Sequence, residues 1–357
     1  MNKPIIKIFI VDDSAIVRAA ISDLVKKEGD IQLLGTAQDP IFAMEKFQKL
    51  GWPDVIILDI EMPRMDGLTF LKKIMSTHPT PVIICSSVAH KGSQKAIEAM
   101  SLGAVEVLGK PEFQVKSFFE EVHNAFTHAI RAAARSKLKN ISSAFNSKIE
   151  VKLNADSVLP SINRTSIANI KERYIAIGSS TGGVQTLEVI ITKLSVNTPP
   201  IVIAQHMPAG FTASFAERLD RISQVTVKEA ANGDILQRGH VYIAPGELHT
   251  MVKRIGNYYL LEVKDGPRVS RHKPSVDVLF RSCSNEGAKN CIAFILTGMG
   301  DDGAKGMKEL HDKGGVTYAQ DERSCIIYGM PKEAVALGGV DKSLSLTQII
   351  EVIKKLF

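Results

Sequence analysis

Residues 5 to 128 alternate short apolar runs with amphipathic stretches of helical period, and that alternation leaves few folds open. The runs are Ile5 to Val11, Ile31 to Ala37, Val55 to Asp59, Val82 to Ser86 and Glu106 to Gly109. Unbroken apolar runs separated by helical patterns predict parallel strands, because a parallel pair needs a crossover connection and helices then cover both faces of the sheet. Five such units predict an α/β domain with a five-stranded parallel sheet. A second alternating region starts near Tyr174, with strand-like runs at 174–178, 201–205, 225–229, 241–244, 292–296 and 316–319. Long helical patterns follow the first two and the fifth, predicting a second, doubly wound α/β domain. The stretch Met251 to Val263, around Gly256-Asn257, reads as an added β-hairpin.

Between the two regions the periodicity fades, from about Ile130, into a stretch rich in Ser, Asn and Lys with helical character at its start. The expected organisation is therefore an N-terminal domain at 1–128, a polar linker at 129–172 and a C-terminal domain at 173–357. Charge supports the linker. The chain carries a formal net charge of +6, and residues 131–173 hold nine Lys or Arg against three acidic residues, which is +6 in that segment alone. The rest of the chain balances to zero, so a basic linker explains the excess better than a nucleic-acid-binding surface.

At 357 residues and 45% hydrophobic content, each domain can bury a core of its own. No apolar run approaches the roughly 18 residues of a membrane span, and the start MNKPIIKIFIVDD runs into acidic residues, so a cytoplasmic protein without membrane insertion is expected. Cys85, Cys283, Cys291 and Cys325 form no C-x-x-C pair, so neither a disulfide framework nor a zinc site is indicated.

In a parallel α/β sheet, reactive groups gather just past the carboxyl ends of the strands. Asp12 and Asp13 follow the first run and Asp59 ends the third. Clustered carboxylates raise one another's pKa unless a cation lies among them, and all-oxygen ligands favour a hard ion such as Mg²⁺, which shares itself with phosphate. Ser86 ends the fourth run and Lys110 follows the fifth. A hydroxyl and an ammonium at that edge can bind the oxygens of a phosphoryl group carried by one aspartate. Any one of these residues alone reads as a cap or turn residue; on four strand ends together they read as a site.

IFIVDDS, IILDIEMPRMDG, IICSS and LGAVEVLGKP resemble the response-regulator receiver domain, of flavodoxin-like fold, over about residues 1 to 125. The resemblance implies that Asp59 is the phospho-acceptor. It implies Asp12, Asp13, Asp59 and the Glu61 backbone carbonyl as ligands of Mg²⁺, Lys110 as the phosphate contact and Ser86 as the switch hydroxyl. Val107 stands where many receivers place an aromatic switch residue, so an aromatic rotamer switch is not implied.

The stretch IGSSTGG at 177–183 can hold a phosphate, present a nucleophile or merely cap a helix. It lacks the Walker lysine and the spacing of a dinucleotide fingerprint, which disfavours a phosphate cradle. Ser180 lies in G-x-S-x-G after one strand, His206 follows the run IVIAQ, and Asp302 lies in TGMGDDG after IAFIL. A hydroxyl, an imidazole to take its proton and a carboxylate to fix the imidazole are the parts that acyl transfer needs. Taken singly, His206 can be a capped core histidine and Asp302 a helix cap. The order Ser, His, Asp is not that of α/β-hydrolases, so the motif does not license that fold.

IGSSTGG, QHMPAGFTASFAERLD, HVYIAPG, DGPRVSRHKPSVDVLF, LTGMGDDGAKGM and YGMP resemble the catalytic domain of the CheB family of chemotaxis methylesterases over nearly all of 173–357. The resemblance implies Ser180 as nucleophile, His206 as general base and acid, Asp302 as the orienting carboxylate and the Met299 backbone N–H as oxyanion donor. Ser179 and Asp301 are set aside on motif position alone. The implied reaction is hydrolysis of glutamyl methyl esters on methyl-accepting chemoreceptors through an acyl-enzyme, often with deamidation of glutamine, and with no cofactor for the esterase step. A chemotaxis histidine kinase is the implied phosphodonor. A phospho-regulated general esterase and a non-catalytic receptor-binding regulator remain as alternatives. A transcription factor would need a basic recognition element, which residues 174–357 do not display. The roles of Arg271 and His272 in SRHKPS stay open.

Overall fold

The computed structural model describes residues 4–86, 90–110, 118–137, 154–160 and 173–356. Contacts divide the chain into two compact units, Met1–Ser143 and Ala144–Phe357, each built on its own apolar core.

In the first unit β1 (Ile6–Val11), α1 (Ala15–Val25), β2 (Ile31–Ala37), α2 (Pro40–Leu50), β3 (Val55–Leu58), α3 (Gly67–Thr77), β4 (Val82–Ser86), α4 (His90–Ser101), β5 (Glu106–Gly109) and α5 (Phe118–Lys137) alternate throughout. The sheet is parallel, in the order β2-β1-β3-β4-β5. Every residue of β3 and β4 is buried, as is β1 from Ile8 onward, which is why these strands read as unbroken apolar runs. Helices begin where a side-chain oxygen can take a free N–H. Ser14 accepts from Val17, Asp39 from Ile41 and Phe42, and Asp66 from Thr69. Helix α5 runs past residue 128 to Lys137 because Ala129, Ile130 and Ala132–Ala134 are buried and Arg131 pairs with Glu28 and Asp30. Linker residues 138–153 and 161–172 lie outside the described residues.

The second unit comprises a 3-10 turn at Ala155–Ser157, then β6 (Tyr174–Ser179), α6 (Gly183–Ile191), β7 (Ile201–Gln205), α7 (Phe211–Ile222), β8 (Thr226–Glu229), β9 (His240–Ile243), β10 (His249–Ile255), β11 (Tyr258–Lys264), α8 (Val276–Gly287), β12 (Cys291–Ile295), α9 (Ala304–Asp312), β13 (Val316–Gln320), α10 (Met330–Ala336), β14 (Lys342–Leu344) and α11 (Leu346–Lys354). Seven parallel strands run in the order β14-β13-β12-β6-β7-β9-β8, and β10–β11 is a separate antiparallel hairpin. Four elements exceed the sequence reading: α8, α10, β14 and α11. β14 is an edge strand of three residues, too short to carry a period. In α8, Val276–Asn285 are all buried, although Val276, Leu279, Phe280 and Cys283 lie on one side of the helix and Asp277, Arg281, Ser284 and Asn285 on the other.

Strand order reverses between β1 and β3 in the first unit and between β6 and β12 in the second. Crevices at such reversals are where open α/β sheets bind ligands. In the second unit, α6, α7 and α9 are each entered through a glycine in the left-handed region, Gly182, Gly210 and Gly303, at φ of 80°, 81° and 91°. Each ends the loop that leaves a strand near the reversal. Side chains at two of them would also collide: a Cβ at 182 would lie 2.6 Å from the Cβ of Ile326, and one at 303 would lie 2.5 Å from Cγ1 of Val276.

One described piece of the linker packs on the second unit. Ala155, Val158 and Leu159 join Met251, Val269 and Val278 in a small apolar cluster. The nearby Arg281, only 6% exposed, pairs with Glu309 and Asp156 and donates to the Leu159 carbonyl, while Asn285 donates to the Pro160 carbonyl. No helix among the described residues is long and apolar enough to cross a membrane.

Candidate active site and acidic cluster

At the β1/β3 reversal, Asp12 and Asp59 are buried and Asp13 is exposed, with one carboxylate oxygen from each lying within 4.8 Å of the others. One oxygen of each buried aspartate is used locally. Asp12 Oδ1 accepts from the Ser14 N–H at 2.8 Å, and Asp59 Oδ1 accepts from Ile60 at 2.8 Å and Glu61 at 3.4 Å. Their Oδ2 atoms have no well-directed donor; the Lys110 ammonium lies 3.2 Å from that of Asp12 and 2.8 Å from that of Asp59. Burial, reinforced by the charge of Asp59, pushes the Asp12 carboxyl up to about 6. Burial likewise raises Asp59, with Lys110 opposing. Two buried oxygens short of donors, in a set made only of hard oxygen ligands, fit a hard cation. Ser86 is buried at the end of β4, and its carbonyl accepts the Lys110 N–H at 2.9 Å, tying two strand ends together. The Glu61 carboxylate points elsewhere, pairing with Lys95 at 3.1 Å.

At the β6/β12 reversal, strand register brings the three singled-out side chains of the second unit into neighbouring loops. Ser179 pairs with Gln205 and Gly178 with Ile295, so Ser180 and His206 each stand one residue beyond adjoining strands. Ser180 N–H donates to the Thr297 carbonyl at 3.0 Å, and His206 N–H donates to the Ser179 carbonyl at 3.1 Å. A Cβ on Gly298 would lie 2.8 Å from that of Ser180, so glycine is what lets the two loops meet.

His206 Nε2 lies 2.8 Å from Asp302 Oδ2. The same carboxylate accepts three more hydrogen bonds, from Val276 N–H at 2.7 Å, Ser275 Oγ at 2.8 Å and Asp277 N–H at 3.1 Å. Burial raises both Asp302 and its neighbour Asp277, but four donors favour the anion at Asp302. Burial pushes His206 down to about 3, so the ring is neutral at pH 7. The Asp302 contact then assigns the proton to Nε2 and leaves the lone pair on Nδ1, which is buried without a hydrogen-bond partner. The Met299 N–H donates to none of the backbone acceptors among the described residues. Asp301, next to Asp302, is half-buried.

Three residues of this site were not singled out from the sequence. Gln205 accepts from Ser179 Oγ at 2.7 Å and donates to the carbonyls of Ser180 and His206, both at 3.0 Å. Ser179 is thereby fully buried and its hydroxyl occupied, a physical ground for setting it aside. A polar residue closing the apolar run IVIAQ was the available signal. Ser275 caps α8 and Asp277 lies in its first turn, and both donate to Asp302.

Known proteins resemble both units. The response regulator receiver domain profile matches residues 8–122, and the CheB methylesterase profile matches residues 175–353. The chain is thus a response regulator whose output unit is an α/β enzyme. A protein-glutamate methylesterase/protein-glutamine glutaminase of Chromobacterium violaceum is 51% identical over 98% of this chain and 99% of its own length. One of Dechloromonas aromatica is 52% identical over 96% of each. The crystal structure of the Thermotoga maritima CheB methylesterase catalytic domain aligns with a TM-score of 0.51 and 40% identity, covering 52% of this chain and 99% of that one. The chain belongs to the CheB methylesterase family.

Proposed function

We propose that this protein is a phosphorylation-regulated, cytoplasmic protein-glutamate methylesterase, acting on glutamyl methyl esters of chemoreceptors and deamidating glutamine at the same positions. The observation that carries the reading is the connectivity of His206: Nε2 donates to a saturated Asp302, and Nδ1 is left as a buried, unpartnered base one strand from Ser180. Ser180 Oγ attacks the ester carbonyl carbon while its proton passes to His206 Nδ1. The Met299 N–H stabilises the oxyanion. Collapse breaks the bond to the methoxy oxygen, which takes the proton from His206 and leaves as methanol. Water, deprotonated by the same nitrogen, then hydrolyses the acyl-enzyme to glutamate. With glutamine, ammonia is the leaving group of the same sequence.

In residues 1–128, Asp59 is the phospho-acceptor and a chemotaxis histidine kinase the phosphodonor. Asp12, Asp13, Asp59 and the Glu61 carbonyl would hold Mg²⁺, which supplies positive charge against the phosphoryl oxygens. Lys110 and Ser86 contact the phosphoryl group. Residues 129–172 join this unit to the methylesterase at 173–357. The test is methanol release from methyl-labelled receptor membranes, with and without a small phosphodonor, by the protein and by Ser180→Ala. Release that survives Ser180→Ala overturns the nucleophile. Turnover of small soluble esters with none from receptor membranes makes the protein a general esterase instead.

A further inference from the structure

We propose that His272 is the positioning residue that holds the His206 ring in its plane, and that Asp277 anchors the turn that presents it. The proposal rests on the Ser180–His206–Asp302 reading above. A single hydrogen bond through Nε2 fixes one atom of the His206 imidazole and leaves the ring free to swing about that contact, carrying Nδ1 out of line. The ring of His272 lies flat against it, with centroids 3.6 Å apart and planes 7° from parallel. A parallel ring on one face removes that freedom.

The turn behind His272 is built for placement. Val269 and His272 exchange both backbone hydrogen bonds, at 2.9 and 3.1 Å, across Ser270 and Arg271. Ser270 and Arg271 have φ of 53° and 72°, so two consecutive side-chain-bearing residues sit in the left-handed region that glycine normally fills. Such strain persists only where the surroundings over-determine the conformation. Here Val269 is fully buried among Ala155, Met251 and Val278, and Ser270 Oγ donates to Asp277 Oδ2 at 3.0 Å. Asp277 is buried and locked in turn, its Oδ1 accepting the Gly306 N–H at 2.8 Å. Its own N–H donates to Asp302 Oδ1 at 3.1 Å. One residue that the acyl-transfer steps do not use therefore ties down both neighbours of the His206 ring, the carboxylate at its edge and the imidazole on its face.

The experiment uses the full-length protein, methanol release from methylated receptor membranes, and the low-field proton resonance of the His206–Asp302 hydrogen bond, identified by its loss in His206→Gln. His272→Ala is expected to lower kcat by about tenfold to a hundredfold, the scale of a small misplacement of a reacting group, with KM within about twofold. The low-field resonance should shift or broaden. His272→Phe keeps a flat ring on the face and is expected to restore most of kcat and the resonance. Ser270→Ala removes only the strut to Asp277; it should slow turnover in the same sense, and the double variant with His272→Ala should be no slower than His272→Ala alone. Wild-type kcat in His272→Ala overturns the proposal, as does His272→Phe being as slow as His272→Ala, because the imidazole would then act by its chemistry and not by its plane. Additive losses in the double variant overturn the role given to Asp277. Ser180→Ala, measured alongside, reports separately on the nucleophile: if it stays active the triad reading fails, and the resonance alone then decides whether His272 sets the ring.

Discussion

The two units place reactive groups at equivalent points, strand ends flanking a reversal of strand order, yet they finish their buried carboxylates in opposite ways. In the first, Asp12 and Asp59 each keep one buried oxygen without a directed donor, facing a lysine and one another. In the second, Asp302 accepts four hydrogen bonds, one of them from the imidazole. A carboxylate meant to receive an incoming ion or phosphoryl group has to be left short of partners. A carboxylate meant only to hold another side chain is best filled, because each added donor removes a direction in which it can move.

The largest effects should come from the two residues that form bonds. Ser180→Ala is expected to cut methanol release by about 10⁶, the loss typical of a triad nucleophile, while leaving phosphorylation untouched. Asp59→Asn is expected to take no label from a small phosphodonor while keeping its basal esterase activity. Label on Asp59→Asn, or esterase lost with it, would break the division of labour between the units. Next in size, Asp302→Asn should slow methanol release by about 10⁴, since an amide favours the wrong imidazole tautomer. A loss under tenfold would mean that the saturated carboxylate does not set the ring.

A smaller effect sharpens the other half of the comparison. With its carboxyl raised from 3.8 to about 6, Asp12 binds more protons in the folded than in the unfolded state between those values. The metal-free first unit therefore loses stability from this group as pH rises through about 4 to 6 and stays at the lower level above that window. Mg²⁺ competes with the proton, so the rise in Tm on adding it should be larger at pH 7.5 than at pH 5, by thermal unfolding. An equal or smaller rise at pH 7.5 would remove the cation from Asp12. The smallest effect on rate is expected from Ser179→Ala. It leaves the Gln205 acceptor unmet, at about 1–3 kcal/mol of stability, and keeps most of the methanol release.

Much of this was legible along the chain. Strands buried on both faces announce themselves as apolar runs, and the candidate site residues were singled out because they end or follow such runs: Asp12, Asp59, Ser180 and His206 at the strand ends, and Asp302 in the loop that leaves β12. What escaped depends on partners distant in sequence. Gln205 matters through Ser179, 26 residues away, and Asp277 through Asp302, 25 residues away, and no local pattern encodes either bond. The choice of Ser180 over Ser179 rested on motif position until the Gln205 contact supplied a reason in hydrogen bonding.

The docked turn at 154–160 separates two meanings of the word domain. The sequence family counts residues 175–353, but the body that buries its surface begins earlier. A polypeptide starting at Tyr174 would be complete by family reckoning and yet would bare Met251, Val269 and Val278 and leave the Arg281 guanidinium with Glu309 as its one acidic partner of the pair. Such a trimmed enzyme should be stickier in solution than one that starts before Asn154. Because Val269 underlies the turn that carries His272, the shortened end would also be felt at the far side of that turn, in the pace of the reaction.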